Sequence, residues 1–433
     1  MVRVFKWFAA GVLAIGFALV AVYGLSRAMG PTKAEQQALQ ALQPGKPPTG
    51  TNGFTQLWLL PYAVPADAQA AVLKADLARF AKAPGAFKST AEDRWPREGL
   101  VDPPGLQLCG WKDQDCLARV RGNQAGYAAA VASNAPLAAR VEALHDAGYV
   151  RNPFPLDPML PFPAYQLLSA PQTGHALTFV RGHRQEALAG VCRDARTARM
   201  LGKDPDYLIG GMISLAMLRG TANLFTEMLA ALPDDAKLPD ECVAAFAPLP
   251  TDAANVCKVM QREFAFVQSG VGDSAWQSVQ GTGATRGHWL FNRDKTVARM
   301  AVGTAWPCEE GGKAQVAADQ PVTTPAVQGG RWEFRCLANA VGCTLADMGP
   351  SNFDDYSRRG QDGMARLRLV SVALWLRTHP KAGLDDLPPE LQRGRPLTLD
   401  SERGTLSMAL FSPQDGQDRW EIPLPAPRLR TAR

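Results

Sequence analysis

Histidine, cysteine and paired acidic residues are the side chains from which a catalytic or metal site would be built. The five histidines are dispersed along the chain, at His145, His175, His183, His288 and His379. No H-E-x-x-H pattern occurs, and His175 and His183 are two helical turns apart, too far to share a metal ion. The histidines therefore give no motif for a metalloenzyme.

The acidic residues are equally unspecific about chemistry. Glu142 and His145 form a Glu-x-x-His pattern, but a di-iron helical bundle needs a second copy and further glutamates, which the sequence lacks. We therefore interpret this pair as a solvated helix face. Adjacent carboxylates at 309–310 and 354–355 are typical of solvated turns rather than of an acid–base couple. No G-x-S-x-G nucleophile motif is present.

A polar cluster in the second half of the chain is the candidate for a ligand site. The Gly-rich stretch 267–288 is typical of a surface loop and matches neither a P-loop nor a dinucleotide fingerprint. It ends at His288, and Asn292 and Arg293 follow at the predicted start of a helix. Such a cluster favours a helix-capping network, with a small ligand site as the alternative. The sequence predicts neither a cofactor nor a metal ion.

The cysteines are more informative, and all of them follow the apolar N-terminal segment, at Cys109, Cys116, Cys192, Cys242, Cys257, Cys308, Cys336 and Cys343. Zinc sites usually contain C-x2-C pairs or Cys/His clusters, and neither occurs. Cys109–Cys116 and Cys336–Cys343 each enclose a short loop, which favours a disulfide bond. The other four cysteines allow three pairings, among which the sequence does not choose. Four disulfides indicate an oxidising compartment, and one or two buried free thiols are the alternative.

The segment from Trp7 to Leu25 carries no charged residue. As a helix it covers roughly 28 Å, close to the hydrocarbon thickness of a bilayer. Arg3 and Lys6 precede it, and by the positive-inside rule they keep the N-terminus in the cytoplasm. A cleaved secretory signal with its cleavage site at 26–28 is the alternative. The sequence thus predicts a single-pass inner-membrane protein with its body in the periplasm.

Composition and charge limit the partners of the exported body. The chain of 433 residues is 46% hydrophobic and 20% charged, which is typical of a globular protein. Its formal charge of +5 includes Arg3 and Lys6, so the predicted periplasmic part is close to neutral for its size. Because basic residues cluster only in the last few positions, the sequence predicts no binding of nucleic acid.

Helical periodicity dominates the middle of the chain. The stretches 175–202 and 206–232 each predict a helix of about 25 residues, and Gly202, Asp204 and Pro205 supply a stop, a cap and a start between them. The resulting hairpin resembles a tetratricopeptide-type hairpin, but no second copy occurs at a fixed period. We therefore predict an irregular α-helical body, with a helical-repeat body as the alternative.

The last part of the chain changes character. An amphipathic helix predicted at 363–378 is followed by a Leu-Pro stretch and by short strands at 398–400, 406–411 and 420–422. The runs RLRLVSVALWLRTHP, LDDLPPEL and GTLSMALFSP resemble a C-terminal module of exported, pseudopilin-like bacterial proteins, which consists of a helix, a Leu-Pro stretch and a β-meander. The chain lacks the Gly-Phe-Thr-Leu-x-Glu pattern that precedes the apolar segment in pseudopilins.

Together these patterns predict a mainly α-helical protein with an N-terminal transmembrane helix and a small α+β element at the C-terminus. The predicted divisions are a cytoplasmic tail (1–6), the membrane anchor (7–25), a stalk or linker (26–53), an α-helical domain (54–266), a loop-rich region with short helices (267–360) and the C-terminal helix with its β-meander (361–433). The predicted function is a non-catalytic envelope interaction or assembly factor with a protein partner, which an exposed apolar groove along 174–232 would favour. A periplasmic hydrolase or ligand-binding protein with a site at His288–Asp294 is the alternative.

Overall fold

The structure is a computed structural model. It describes all residues except 1, 47, 234, 251–255, 272–287, 326–332, 349–352, 415 and 425–433. The predicted Gly-rich loop at 267–288 therefore lies mostly outside the described residues. The described chain is mainly helical and ends in a small three-stranded sheet, as predicted.

The helices and strands follow one another along the chain in a simple order. The first half contains α1 (Val2–Ala28), α2 (Lys33–Ala41), α3 (Phe54–Trp58), α4 (Ala66–Lys82), α5 (Cys116–Gly122), α6 (Gln124–Glu142), α7 (Ala170–Val180), α8 (Arg184–Lys203), α9 (Leu208–Ala230) and α10 (Asp240–Phe246). The second half contains α11 (Cys257–Gly270), α12 (Arg293–Ala305), α13 (Glu310–Ala317), α14 (Ala340–Met348), α15 (Phe353–Thr378), α16 (Pro389–Gln392), β1 (Leu397–Asp400), β2 (Thr405–Gln414) and β3 (Gln417–Pro423). Short 3-10 turns, among them Ala143–Asp146, His288–Leu290 and Phe334–Cys336, join several of these elements.

Helix α1 carries the apolar segment predicted as a membrane anchor. None of its most apolar stretch of 18 residues is buried, and large side chains such as Trp7 and Phe17 are exposed along it. Helix α9 is also long and apolar enough to cross a membrane, but 67% of its most apolar stretch of 18 residues is buried inside the body. Helix α1 is therefore the candidate membrane span, and α9 is a core helix.

The centre of the body is the antiparallel pair α8 and α9, which confirms that part of the predicted hairpin. Small residues let the two helices approach closely: a Cβ on Gly202 would lie 2.3 Å from the Ser214 hydroxyl. The predicted first helix of the hairpin is wrong in its length. Gly182, with a φ of +96°, ends α7, and α8 begins two residues later at Arg184. A glycine in the left-handed region is a common helix stop, so one long helix becomes two.

The segment predicted as a stalk, 26–53, lies against the body. Helix α2 packs on α12, and Ala38 and Leu42 are buried in that contact. Glu35 in the first turn of α2 accepts a hydrogen bond from Arg335 at 2.6 Å. The short helix α2 exposes most of its polar side chains, and its few buried groups attach it to the body.

Two stretches of the region predicted as loop-rich with short helices, 267–360, are helical. Helix α13 is one such short helix, and α15 begins at Phe353 instead of 363. The polar side chains in the first turns of α15 are bonded inside the protein: the amide of Gln361 donates to the carbonyl of Gln320 at 2.7 Å. Buried polar groups with partners are compatible with a core helix, although they weaken its apolar pattern.

The C-terminal sheet is an antiparallel meander in the order β1-β2-β3, packed on α15 and α9. Leu406 and Met408 on β2, and Trp420 and Ile422 on β3, alternate toward the core and are buried. Gly404, with a φ of +64°, belongs to the turn between β1 and β2. The predicted meander is thus confirmed, and it closes one side of a cavity described below.

Candidate functional site

The predicted ligand-site residues take part in joining helices. Asn292 caps the N-terminus of α12, where its Oδ1 accepts a hydrogen bond from the backbone N–H of Lys295 at 3.1 Å. Arg293 donates from Nε to the carbonyl of Val271, just after α11, at 2.7 Å. The side chain of His288 lies outside the described residues. A ligand site at these residues stays a prediction.

The cysteines form four pairs at disulfide distance. Cys109–Cys116 and Cys336–Cys343 are the two short loops predicted from the sequence. The remaining four pair as Cys192–Cys242 and Cys257–Cys308, with Cα–Cα separations of 5.0 and 4.7 Å. All eight cysteines are thus bonded, which fits an oxidising compartment.

Two of the dispersed histidines meet at a buried carboxylate. His145 Nε2 and His175 Nε2 lie 3.0 and 3.1 Å from the two carboxylate oxygens of Asp194. The interpretation of Glu142 and His145 as a solvated pair is wrong for His145, because the turn after α6 directs its ring onto α8. Burial alone would raise the pKa of Asp194, but the two histidines lower it. Among the described residues no group of three or more potential ligands could hold a metal ion.

A cavity of about 490 Å³ lies between α9 and α15, and we call it the arginine pocket. Its polar lining consists of basic or donor side chains, namely Lys112, Trp111, Arg219, Arg359 and Arg366. Its apolar lining comes mainly from α9, with Ile209, Met212, Ile213, Leu215 and Ala216, together with Pro413. The described lining contains no carboxylate. The volume lies within the usual range for small-molecule sites.

Two glycines let the walls of the arginine pocket approach one another. A Cβ on Gly363 of α15 would lie 2.5 Å from Leu215, so α15 crosses α9 at close range there. A Cβ on Gly220 would lie 2.6 Å from the Trp111 backbone, so the Cys109–Cys116 loop lies directly on α9. Side chains at these positions would push apart the elements that carry the lining residues.

Asn223 and Glu227 of α9 connect that helix to the Cys109–Cys116 loop and to the C-terminal sheet. The Asn223 amide donates to the carbonyl of Asp113 at 2.9 Å and accepts from the Trp420 indole at 3.0 Å. One turn further along α9, Glu227 accepts the backbone N–H of Leu117 at 2.8 Å. Burial raises the pKa of Glu227 to about 7. The loop, α9 and the C-terminal sheet therefore form one connected wall.

Arg366 has the least satisfied guanidinium of the pocket. The residue is 4% exposed, and its buried Nε has no hydrogen-bond partner among the described residues. Its guanidinium carbon lies 5.8 Å from the ring centroid of Trp420. Burial lowers the pKa of Arg366 to about 10, and although Asp362 opposes the shift, Arg219 adds to it. A buried cation without an ion pair is costly, and an anion in the pocket would relieve that cost.

Two further donors of the pocket are unused. The indole Nε1 of Trp111 and the Nε of Arg359 are both buried without a hydrogen-bond partner in the part of the chain that the structure describes. A terminal nitrogen of Arg359 lies 2.7 Å from Asp355, so this guanidinium is partly neutralised. Indole and guanidinium groups only donate hydrogen bonds. The pocket therefore suits a ligand that accepts hydrogen bonds and carries negative charge.

A second cavity, of about 510 Å³, shares Met212 and Leu215 of α9 and is lined by Arg199 and two lysines. Arg199 already donates to the carbonyl of Ala247 at 2.5 Å. Because its described lining has no buried, unused donor, we take the arginine pocket as the candidate site.

Sequence analysis did not identify the arginine pocket. Arg366 lies in the run RLRLV, which predicted an amphipathic helix with its polar residues in solvent. Arg219 interrupts the apolar sequence of α9. A basic residue inside a helix that is otherwise apolar was the available signal, because charged side chains are rarely buried unless they have a partner.

The pseudopilin-like resemblance of the C-terminal runs stays a prediction. The candidate site is therefore defined by its geometry and its charge. No protein-family model, curated protein or solved structure matches the chain.

Proposed function

We propose that this chain is a non-catalytic, membrane-anchored binding protein of the cell envelope, and that its arginine pocket binds an organic anion. Helix α1 would anchor it in the inner membrane with the N-terminus in the cytoplasm and the body in the periplasm. The observation that carries the proposal is Arg366, a buried guanidinium without an ion pair in the lining of a cavity.

The charge of the pocket selects for an anion. Desolvating a guanidinium costs several kcal/mol unless a counter-ion and hydrogen bonds compensate for it. Asp362, the nearest acidic residue on α15, is already paired with Arg395 at 2.5 Å. A carboxylate or phosphate could accept two parallel hydrogen bonds from Arg366 and a further one from Trp111. A neutral compound could accept hydrogen bonds but would leave the positive charge uncompensated, and a cation would be repelled.

The apolar wall selects for the rest of the ligand. Ile209, Met212 and Ile213 line the side of the pocket formed by α9. Burying apolar ligand surface against them adds roughly 25 cal/mol per Å². The best-fitting class is therefore a small organic anion, with a carboxylate or phosphate group at one end and an apolar portion at the other.

This proposal retains the non-catalytic role predicted from the sequence and differs from the predicted alternative in the location of the site. The predicted protein partner remains compatible with it, because Ile209 at the start of α9 is 44% exposed and extends the apolar wall to the surface. We favour the arginine pocket over the hydrolase alternative at His288–Asp294, because Asn292 and Arg293 cap and join helices through their described contacts.

Calorimetry on the detergent-solubilised full-length protein tests the proposal. The probes are hexanoate and hexyl phosphate, with hexan-1-ol and hexylamine as neutral and cationic analogues of the same chain length. We expect saturable binding of the two anions and none of the other two. Arg366→Met should weaken anion binding at least about tenfold, the usual effect of losing a charge-assisted hydrogen bond.

The matched control is Arg121→Met, which removes an exposed arginine from α5 and changes the net charge equally. It should bind the anions as the wild type does. If Arg366→Met and Arg121→Met bind hexanoate and hexyl phosphate equally well, the anions do not occupy the arginine pocket and the proposal fails.

A further inference from the structure

The last turn of α1 contacts the body through Ser26 and Arg27, whereas most of the helix is exposed. Ser26 is fully buried: its hydroxyl donates to the carbonyl of Phe334 at 2.8 Å and accepts the N–H of Ala338 at 3.0 Å. Arg27 donates to the carbonyl of Phe291 at 3.1 Å. The end of α1 and the adjoining part of the body are therefore packed together.

One turn earlier, Tyr23 contacts Trp289. The Tyr23 hydroxyl donates to the carbonyl of Trp289, and the two ring centroids are 6.1 Å apart. The side chain of Trp289 is 58% exposed. Since the apolar segment continues to Leu25, these two aromatic residues lie at the level where the proposed span meets the membrane–water interface. Tyrosine and tryptophan are enriched at that level in membrane proteins.

Helix α14 presents an apolar stripe beside this junction. The stripe consists of Val341, Leu345 and Met348, which recur every three or four residues on one face of α14, and of Leu337 in the turn before the helix begins. Leu337 and Met348 are 49% and 66% exposed. The opposite face, with buried Gly342 and Cys343, packs inward, and the Cys336–Cys343 bond holds the start of the helix in place.

We propose that the apolar stripe of α14, together with Trp289, lies in the interfacial layer of the bilayer that α1 spans. The body would then have two attachments to one membrane, a spanning helix and an interfacial helix. This inference rests on the proposed anchoring by α1, but it does not depend on the arginine pocket.

The position of α14 is what selects lipid as the occupant of the stripe. Ala338, two residues before α14 begins, donates its backbone N–H to Ser26, which directly follows the end of the apolar segment at Leu25. An amphipathic helix held at that level meets the boundary between headgroups and acyl chains, where an apolar face is stabilised by insertion. A spanning helix alone can tilt and carry the attached body with it, whereas a second lipid contact would fix the orientation of the body on the membrane.

Spin labelling tests the inference on the full-length protein in vesicles of phosphatidylethanolamine and phosphatidylglycerol. Because all eight native cysteines are bonded, one introduced cysteine is the single reactive thiol. Labels at Leu337→Cys and Met348→Cys report on the stripe. Leu13→Cys on α1 marks the bilayer, and Val101→Cys, 51% exposed on the body, marks water. Saturation measurements compare collisions with oxygen, which concentrates in lipid, and with a water-soluble nickel chelate.

We expect the ratio of oxygen to nickel collisions at 337 and 348 to exceed that at 101 several-fold and to approach that at 13. A ratio at both stripe positions equal to that at 101, while 13 reports lipid, overturns the inference and leaves the anchor intact. Labels at 337 and 348 that are shielded from both reagents indicate contact with protein and also overturn it. A water-like ratio at 13 overturns the anchoring and the inference together.

Discussion

Two buried arginines beside the same helix differ in nearly every contact. Arg395 lies 2.8 Å from Asp319 and 2.5 Å from Asp362, and its guanidinium is stacked over Phe411 at 3.5 Å. Arg366 lies one turn after Asp362 on α15 and has no ion pair among the described residues. The two are buried to a similar extent, 6% and 4% exposed, so burial alone does not separate them.

The difference lies in where the nearby carboxylates are used. Asp362 pairs with Arg395 and also accepts the backbone N–H groups of Phe411 and Ser412, which fastens β2 to α15. Burial would lower the pKa of Arg395, but the two carboxylates raise it, whereas Arg366 has a lowered pKa. Arg395 thus stabilises the fold, and Arg366 remains available to a ligand.

Removing Asp362 should give the largest change in stability. Asp362→Ala leaves Arg395 with one carboxylate and removes the acceptor for Phe411 and Ser412. We expect the free energy of unfolding to fall by about 3–5 kcal/mol, measured by urea denaturation. The control Asp93→Ala breaks an exposed surface ion pair and should cost less than about 1 kcal/mol. If both variants lost the same free energy of unfolding, the buried Asp362 would contribute no more to stability than a surface ion pair does.

Glu227 is an acidic counterpart of Arg366, because its Oε1 is buried without a hydrogen-bond partner among the described residues. Its pKa is about 7 in the folded protein, above the ordinary value of 4.5. The folded state therefore holds a proton that the unfolded chain releases, so stability falls as the pH rises from about 4.5 through 7. This shift corresponds to about 3 kcal/mol.

We expect Glu227→Gln, which keeps an acceptor for the Leu117 N–H, to remove that decline. The variant should exceed the wild type in free energy of unfolding by up to about 3 kcal/mol above pH 8 and by little near pH 4. Urea denaturation at the two pH values measures the difference. A gain of the same size at both would show that the ionisation of Glu227 is not its cause.

The Cys109–Cys116 loop offers a smaller and more selective test. Cys109→Ser with Cys116→Ser should cost about 2.5 kcal/mol by loss of loop closure, and it should weaken anion binding because the loop carries Trp111. Cys336→Ser with Cys343→Ser opens a loop of the same sequence separation, 7 residues, away from the pocket. It should cost a similar amount in thermal denaturation and leave anion binding unchanged. If both double variants lost anion binding to the same extent, the Cys109–Cys116 loop would have no specific role in the arginine pocket.

The sequence predicted what depends on local pattern. The apolar α1, the short disulfide loops, the turn at Gly404 and the strands around Leu406 and Trp420 each follow from spacing or turn chemistry within a few residues. The pairing of Cys192 with Cys242 and of Cys257 with Cys308 does not follow from local spacing, because each bond joins helices about 50 residues apart. Such pairings depend on how helices pack, which no local pattern reports.

The arginine pocket could not be predicted from the sequence either, because it also depends on how distant helices and strands pack together. Neither Arg366, in the amphipathic run of α15, nor Arg395, in the connection before β1, has a sequence motif that indicates its partner. Asp362 forms its ion pair with Arg395, and Arg366 lies beside a cavity, only because of how α15 packs against β2. Asn292 and Arg293 were conspicuous because they follow a Gly-rich loop, yet their described contacts cap and join helices.

The most direct test of the central claim compares Arg366→Met and Arg395→Met in the absence of ligand. Both variants remove one buried guanidinium, and urea denaturation gives the free energy of unfolding of each. We predict that Arg395→Met loses about 3–5 kcal/mol, because Asp319 and Asp362 become unpaired, while Arg366→Met is unchanged or gains up to about 2 kcal/mol. An Arg366→Met variant as unstable as Arg395→Met would contradict the account, since Arg366 would then be a structural arginine.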